Sequence, residues 1–281
     1  VLIIGFLLNV VFDPWFLFGG YGLPAMGIRG IALATVVIQL FGCVYLALKL
    51  SRTALWRGFS PRCFLPQAKI FREIAGQGFP ASLNMISVAV GIFIITKFVS
   101  HFGKEGVAAY GIATRVEQIV LMPTIGLNIA VLTLAGQNNG ARLFARVRET
   151  WSVSMKYGLI IMGGGGIVIF FGGEWLMRIF SSDLTVVRIG SEYLRIASVT
   201  LCAYVFLFQT VYMLQGLKRP MYAVWIGIYR QIVAPYAVFY LLAFHLDWKL
   251  QGIWWGVFLV TWSAAIVTLF YGKRVLRKVA G

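Results

Sequence analysis

The chain has 281 residues, 60% of them hydrophobic and 12% charged, with a mean hydropathy of +0.84. A soluble domain carries about 25% charged residues, so the composition excludes a soluble globular protein and indicates an integral membrane protein. The formal net charge of +16 does not indicate nucleic acid, because the lysines and arginines cluster at the ends of apolar stretches on alternate sides, as membrane topology demands.

A helix needs about 20 apolar residues to cross the hydrocarbon core. Eight stretches are predicted to do so: 1–18, 28–50, 78–100, 107–135, 152–172, 191–215, 221–244 and 251–272. The chain opens on Val1, already inside an apolar stretch, so we expect a removed N-terminus or a fragment.

The first stretch holds one amide and one acid four residues apart, Asn9 and Asp13, followed by Pro14. Residues at i and i+4 share a helix face. A proline inside a helix has no N–H, which frees the carbonyl of Val10 on the same turn. A carboxylate, an amide oxygen and a freed carbonyl within a membrane segment suit a small hard cation or a proton. An acid there costs about 2.5–3.5 kcal/mol on insertion scales and faces a cavity or the bundle interior. The alternative is a plain helix end at Asp13-Pro14.

The second stretch opens as GIRGIALAT, where Gly30 and Ala34 form a small-xxx-small face for close helix packing. The connection 51–77 is basic, is broken by Pro61 and Pro66, and is predicted to be a cytoplasmic linker with an amphipathic piece on the membrane surface. Four glycines, Gly163 to Gly166, permit close packing or a bend in the fifth stretch.

Several charges fall inside stretches. Arg115 and Glu117 are two apart, so they do not face each other, and each needs a partner elsewhere or lines water. Glu192 and Arg195, three apart, are expected to pair. Arg230 is the deepest base, with Tyr229, Tyr236 and Tyr240 nearby, and must either pair or face a polar cavity. Arg115, Glu117 and Arg230 are therefore the candidates for a substrate cavity, against the alternative of core and interface packing.

Sixteen basic residues lie at one set of helix ends, including Arg52, Arg72, Arg146, Lys218 and Lys273. Five lie at the other ends and are balanced by acids. The positive-inside rule makes the first set cytoplasmic, together with the C-terminus. The three cysteines, Cys43, Cys63 and Cys202, suggest neither a disulfide framework nor a metal site, and no acid, His or Cys constellation points to an enzyme.

NVVFDPWFLFG followed by GIRGIALAT resembles the fifth and sixth helices of MATE (multidrug and toxic compound extrusion) transporters. GQGFPASLN is similar to that family's entry into its seventh helix. VAAYGIATRVEQIVLMPTIGLNIAVLTLAGQNNGA resembles its eighth helix and the cytoplasmic end beyond, and LQGLKRP its tenth-helix exit. The resemblance implies an all-α membrane bundle of twelve helices in two six-helix lobes. Residues 1–50 would be the last two helices of the N-lobe, 51–77 the inter-lobe linker and 78–281 the C-lobe, so the chain would be an N-terminally truncated fragment.

The resemblance also implies a cation-coupled antiporter exporting drug-like, cationic or amphipathic compounds by alternating access. It would use no cofactor beyond a coupling Na+ or H+. We expect a monomeric, multi-pass protein of the bacterial inner membrane whose partners are the bilayer and small molecules, with no nucleic acid. One family branch places a cation on a fifth-helix Asn-x-x-x-Asp, matched by Asn9 and Asp13, with a sixth-helix threonine matched by Thr35. Another branch uses acids in the seventh and tenth helices; these have no deep counterpart here, although Glu117 could substitute. The alternatives are a lipid-linked oligosaccharide flippase of the same superfamily and, from a different class, a membrane-embedded enzyme.

Overall fold

Alternating apolar stretches and short polar breaks leave the backbone one low-energy way to cross a membrane, with every amide bonded inside its own segment. The computed structural model of the chain describes residues 2–20, 24–53 and 67–280, all but short connections of which are helical. They form two compact units, Val1–Phe71 and Arg72–Gly281.

The first unit holds α1 (Leu2–Phe18) and α2 (Ile28–Ser51). Gly27, at a φ of 59°, turns the chain into α2. The predicted small-residue face is the one α2 buries: Gly30, Ala34 and Ile38. A Cβ on Gly30 would run into the carbonyl of Phe16, and Ile38 packs over Gly5, so this spacing lets α2 lie against α1.

The second unit holds α3 (Ala68–Ser100), α4 (Lys104–Gly140), α5 (Phe144–Phe180), α6 (Leu184–Gly216), α7 (Met221–His245) and α8 (Lys249–Ala280). Among the described residues, seven helices, α2 to α8, are long and apolar enough to cross a membrane; α1 is shorter, its apolar part running Ile4–Phe18. Every predicted stretch is a helix, and most extend beyond the predicted bounds. Hydropathy marks the hydrocarbon core, whereas helical hydrogen bonds continue into the headgroups. The largest extension at a single end is that of α3, which begins ten residues early, at Ala68, within the predicted linker. The other predicted linker residues at 54–66 lie outside the described residues.

The central helix is α6, which packs against α4, α5 and α8. Asp183 caps its N-terminus, with Oδ1 accepting from the backbone N–H of Thr185 at 2.8 Å. Two of the four glycines on α5 serve packing. Gly166 lets the backbone of α6 approach, where an added Cβ would lie 2.8 Å from the carbonyl oxygen of Ser198; Gly165 receives Val120 of α4. Gly163 and Gly164 face open space. Polar bonds also tie the helices together. Gln209 donates to Asn128 at 2.8 Å, Trp151 to Thr210 at 3.2 Å, and Tyr222 to Thr268 at 3.1 Å. Each is worth about 0.6 kcal/mol in a membrane interior. Large apolar side chains point outward, Phe171 at 81% exposed among them, as on a lipid-facing surface.

Within α7 the helix widens twice into π turns, at Tyr229–Val233 and Tyr240–His245. The first turn ends just before Pro235, whose ring cannot accept regular α geometry. It also carries Arg230 and Gln231.

Candidate functional site

The first candidate site lies on α1 and α2. Asn9 and Asp13 occupy one face of α1, and all three of Asn9, Asp13 and Thr35 are half-buried. The Asn9 amide donates to the Gly5 carbonyl at 2.9 Å, and the Thr35 hydroxyl to the Ile31 carbonyl at 3.0 Å. Both donors are thus spent on their own helices. Oδ1 of Asp13 is shielded from solvent and has no hydrogen-bond partner among the described residues. No hydrogen bond joins the three side chains. The Asp13 carboxylate and the amide oxygen of Asn9 can only accept, and the Thr35 hydroxyl can accept as well as donate.

The second site lies in the larger unit. Glu117 on α4 is 5% exposed, and its Oε2 accepts a hydrogen bond from the Tyr193 hydroxyl of α6 at 2.8 Å. Tyr193 meets Trp254 of α8 edge-on at 4.9 Å between ring centres, and Tyr110 of α4 stacks on the same indole at 5.9 Å. Three aromatic rings from three helices therefore fix the group that holds the carboxylate.

Arg230 reaches in from the first π turn of α7. Its guanidinium sits 5.6 Å from the ring centre of Tyr204 and 5.9 Å from that of Phe208, both on α6, in cation–π geometry. Tyr204 also interacts with Glu117, so one phenol lies between the acid and the base. Helix α3 closes the site from the other side: Gly91 receives Gln231, and Gly227 receives Asn84.

Glu117, Tyr193, Tyr204, Gln231 and Arg230 line a cavity of about 240 Å³. An adjoining, more apolar cavity of about 390 Å³ shares Val88, Ile92, Phe208 and Arg230 with it.

Of the predicted intramembrane charges, the structure brings Glu117 and Arg230 to one cavity and leaves Arg115 exposed and outside it. The two-residue offset from Glu117 turns Arg115 to another face. The expected pairing of Glu192 with Arg195 is replaced by Glu192 with Arg188, at 3.5 Å. Both partners lie one helical turn from the acid, and the fold uses the earlier one. Tyr110, Tyr193, Tyr204 and Trp254 escaped the sequence reading. One signal was present for two of them: Tyr193 and Tyr204 are eleven residues apart, three helical turns, and share a face of α6.

The MatE family model matches residues 80–241, more than half of the chain. The chain belongs to the MatE family. Among its relatives, "Probable multidrug resistance protein NorM" of Thermotoga maritima is 30% identical over 65% of this chain and 39% of its own length. "Probable multidrug resistance protein YoeA" of Bacillus subtilis is 29% identical over 91% of this chain and 56% of its own length. The chain thus spans roughly half the length of these MatE relatives. A MOP superfamily transporter from Pyrococcus furiosus has the same fold, with a TM-score of 0.89 at 23% identity over 99% of this chain and 62% of that one. A multidrug resistance MATE family transporter in an outward-facing conformation gives 0.86 over the same share of each chain. MatE membership makes this a multi-span membrane protein of a transporter family, in keeping with its all-helical architecture.

Proposed function

We propose that the chain is part of a cation-coupled antiporter that exports cationic or amphipathic compounds, with Na+ or H+ as the counter-substrate. The observation that carries this reading is the shielded, unpartnered Oδ1 of Asp13, one turn from the Asn9 side chain on the same helix. One carboxylate oxygen can carry a proton or coordinate a sodium ion, but not both at once. The two cations therefore compete for Asp13. Such binding drives transport only if the outward-facing and inward-facing states hold the cation with different affinities. Asn9, Thr35 and the carbonyl of Val10 supply further oxygens.

The cavity around Glu117 and Arg230 is the reading's place for the exported compound. Its aromatic lining suits a flat amphipathic molecule, and Glu117 supplies a counter-charge for a cationic group. A flippase for lipid-linked diphosphates would need several bases in the cavity, and of the two arginine candidates only Arg230 lines it. The protein would be a monomer in the bacterial inner membrane. Its basic helix ends and C-terminus would lie in the cytoplasm, and residues 51–77 would join two lobes.

The test is Asp13→Asn, expressed from the protein's own gene in an efflux-deficient host. The substitution removes a charge and keeps the shape. We expect loss of resistance to a cationic dye at unchanged membrane content. Undiminished resistance at equal content would end the reading.

A further inference from the structure

A third cavity, of about 260 Å³, opens between the first turns of α5 and the last turns of α8. Its lining is Arg148 and Trp151 from α5 with Lys273, Leu276 and Arg277 from α8. The spacing explains the convergence: Arg148 and Trp151 are three apart, Lys273 and Arg277 four apart, so each pair occupies one helix face. Three cations thus border one cleft, and no acid does. Both ion pairs among the described residues, Arg178–Glu174 and Arg188–Glu192, lie elsewhere. Glu149, next to Arg148 in sequence, lines a different cavity with Leu127 and Val153.

The floor of the cleft is rigid and apolar. Trp151 is 8% exposed, with its indole N–H held by Thr210 at 3.2 Å, and Leu276 is 6% exposed. The three cations are exposed and free to close on a ligand. A bound anion relieves their mutual repulsion.

The depth of the site selects among anions. With its 37 residues α5 is about 55 Å long, against about 30 Å of hydrocarbon. Arg148, five residues into the helix, therefore sits at headgroup level, and the tryptophan one turn further in marks the interface. The cavity is smaller than the roughly 300–1,000 Å³ typical of drug-sized sites and accommodates a headgroup.

We propose that this cleft binds the phosphate of an anionic phospholipid headgroup, with the acyl chains lying against the outer faces of α5 and α8. Arg148 and Arg277 supply forked N–H donors and Lys273 a point charge. The site is separate from Asp13 and from the Glu117 cavity, and it does not depend on what the protein carries.

The test uses the protein expressed from its own gene and purified in detergent, titrated with phosphatidylglycerol, phosphatidylcholine or inorganic phosphate and read by native mass spectrometry. The cleft variant is Arg148→Gln/Lys273→Gln/Arg277→Gln. Its control, Arg146→Gln/Arg274→Gln/Lys278→Gln, removes the same charge from exposed positions outside the lining. Each cation near an anionic headgroup is worth about fivefold in affinity, so the cleft variant should bind the tightest phosphatidylglycerol roughly a hundredfold more weakly. The control should lose less than about fivefold. If the triple variant does not purify intact, Lys273→Gln alone decides, with an expected loss of about fivefold. Equal loss in cleft and control variants, no loss in the cleft variant, or phosphatidylcholine binding as tightly as phosphatidylglycerol would overturn the proposal. So would displacement of the lipid by inorganic phosphate at equal concentration, because free phosphate would then be the ligand.

Discussion

Tyr193 is the residue on which the inner site turns. Its hydroxyl donates to the buried Glu117 carboxylate at 2.8 Å, and its ring is pinned by Trp254. Removing the hydroxyl takes one donor away from a buried acceptor, at a cost of about 1–3 kcal/mol. Tyr193→Phe is therefore expected to lower the thermal unfolding midpoint in detergent. Glu117→Gln keeps an oxygen to accept from Tyr193 in a side chain of nearly the same shape, so its midpoint should fall less. The reverse order would mean that the carboxylate is stabilised by some group other than Tyr193. The acid was legible in the sequence, because an intramembrane glutamate marks itself by its cost. Its partner was not, because Tyr193 lies 76 residues away and a tyrosine in an apolar helix has many ordinary uses. Arg115 shows the converse: an equally conspicuous charge that the fold turns outward.

At the level of single helices, apolar patterning predicted where each begins and ends to within a few turns, since hydrophobic length is what the bilayer measures. It also marked the Gly30/Ala34 face, because close packing selects small residues at fixed spacing. It said nothing of the π turns in α7, of which the first ends just before Pro235 and the second begins five residues beyond it. Nor did it say which of the four glycines on α5 matter, since that depends on what lies opposite. The structure separates them. Gly166→Ala drives a Cβ into the Ser198 backbone and should cost about 1–3 kcal/mol. Gly164→Ala enters open space and, by helix propensity, should be neutral or stabilising by up to about 1 kcal/mol. Unfolding of the two variants side by side, in one detergent, checks both figures. Equal effects would show that the α5–α6 contact is looser than described.

Across the whole molecule, the uneven distribution of lysine and arginine sets an orientation that side-specific labelling can read. With native cysteines removed, single cysteines at Arg146 and Lys278 should react with an impermeant thiol reagent only from the cytoplasmic side. Cysteines at Asp183 and Asp247 should react only from outside. Labelling of Arg146→Cys in intact cells would reverse the topology and move the anionic-lipid cleft to the outer leaflet. The stack of Tyr110, Tyr193 and Trp254 has a consequence in time as well as space. The ribosome makes Glu117, then its tyrosine 76 residues later, and supplies Trp254 only when α8 emerges. At about 5–20 residues per second, that leaves an interval on the order of ten seconds. During this interval the acid waits in the bilayer beside an unsecured tyrosine. Quality-control proteases have that window in which to recognise the nascent chain, and a message cut short before α8 would leave it open permanently.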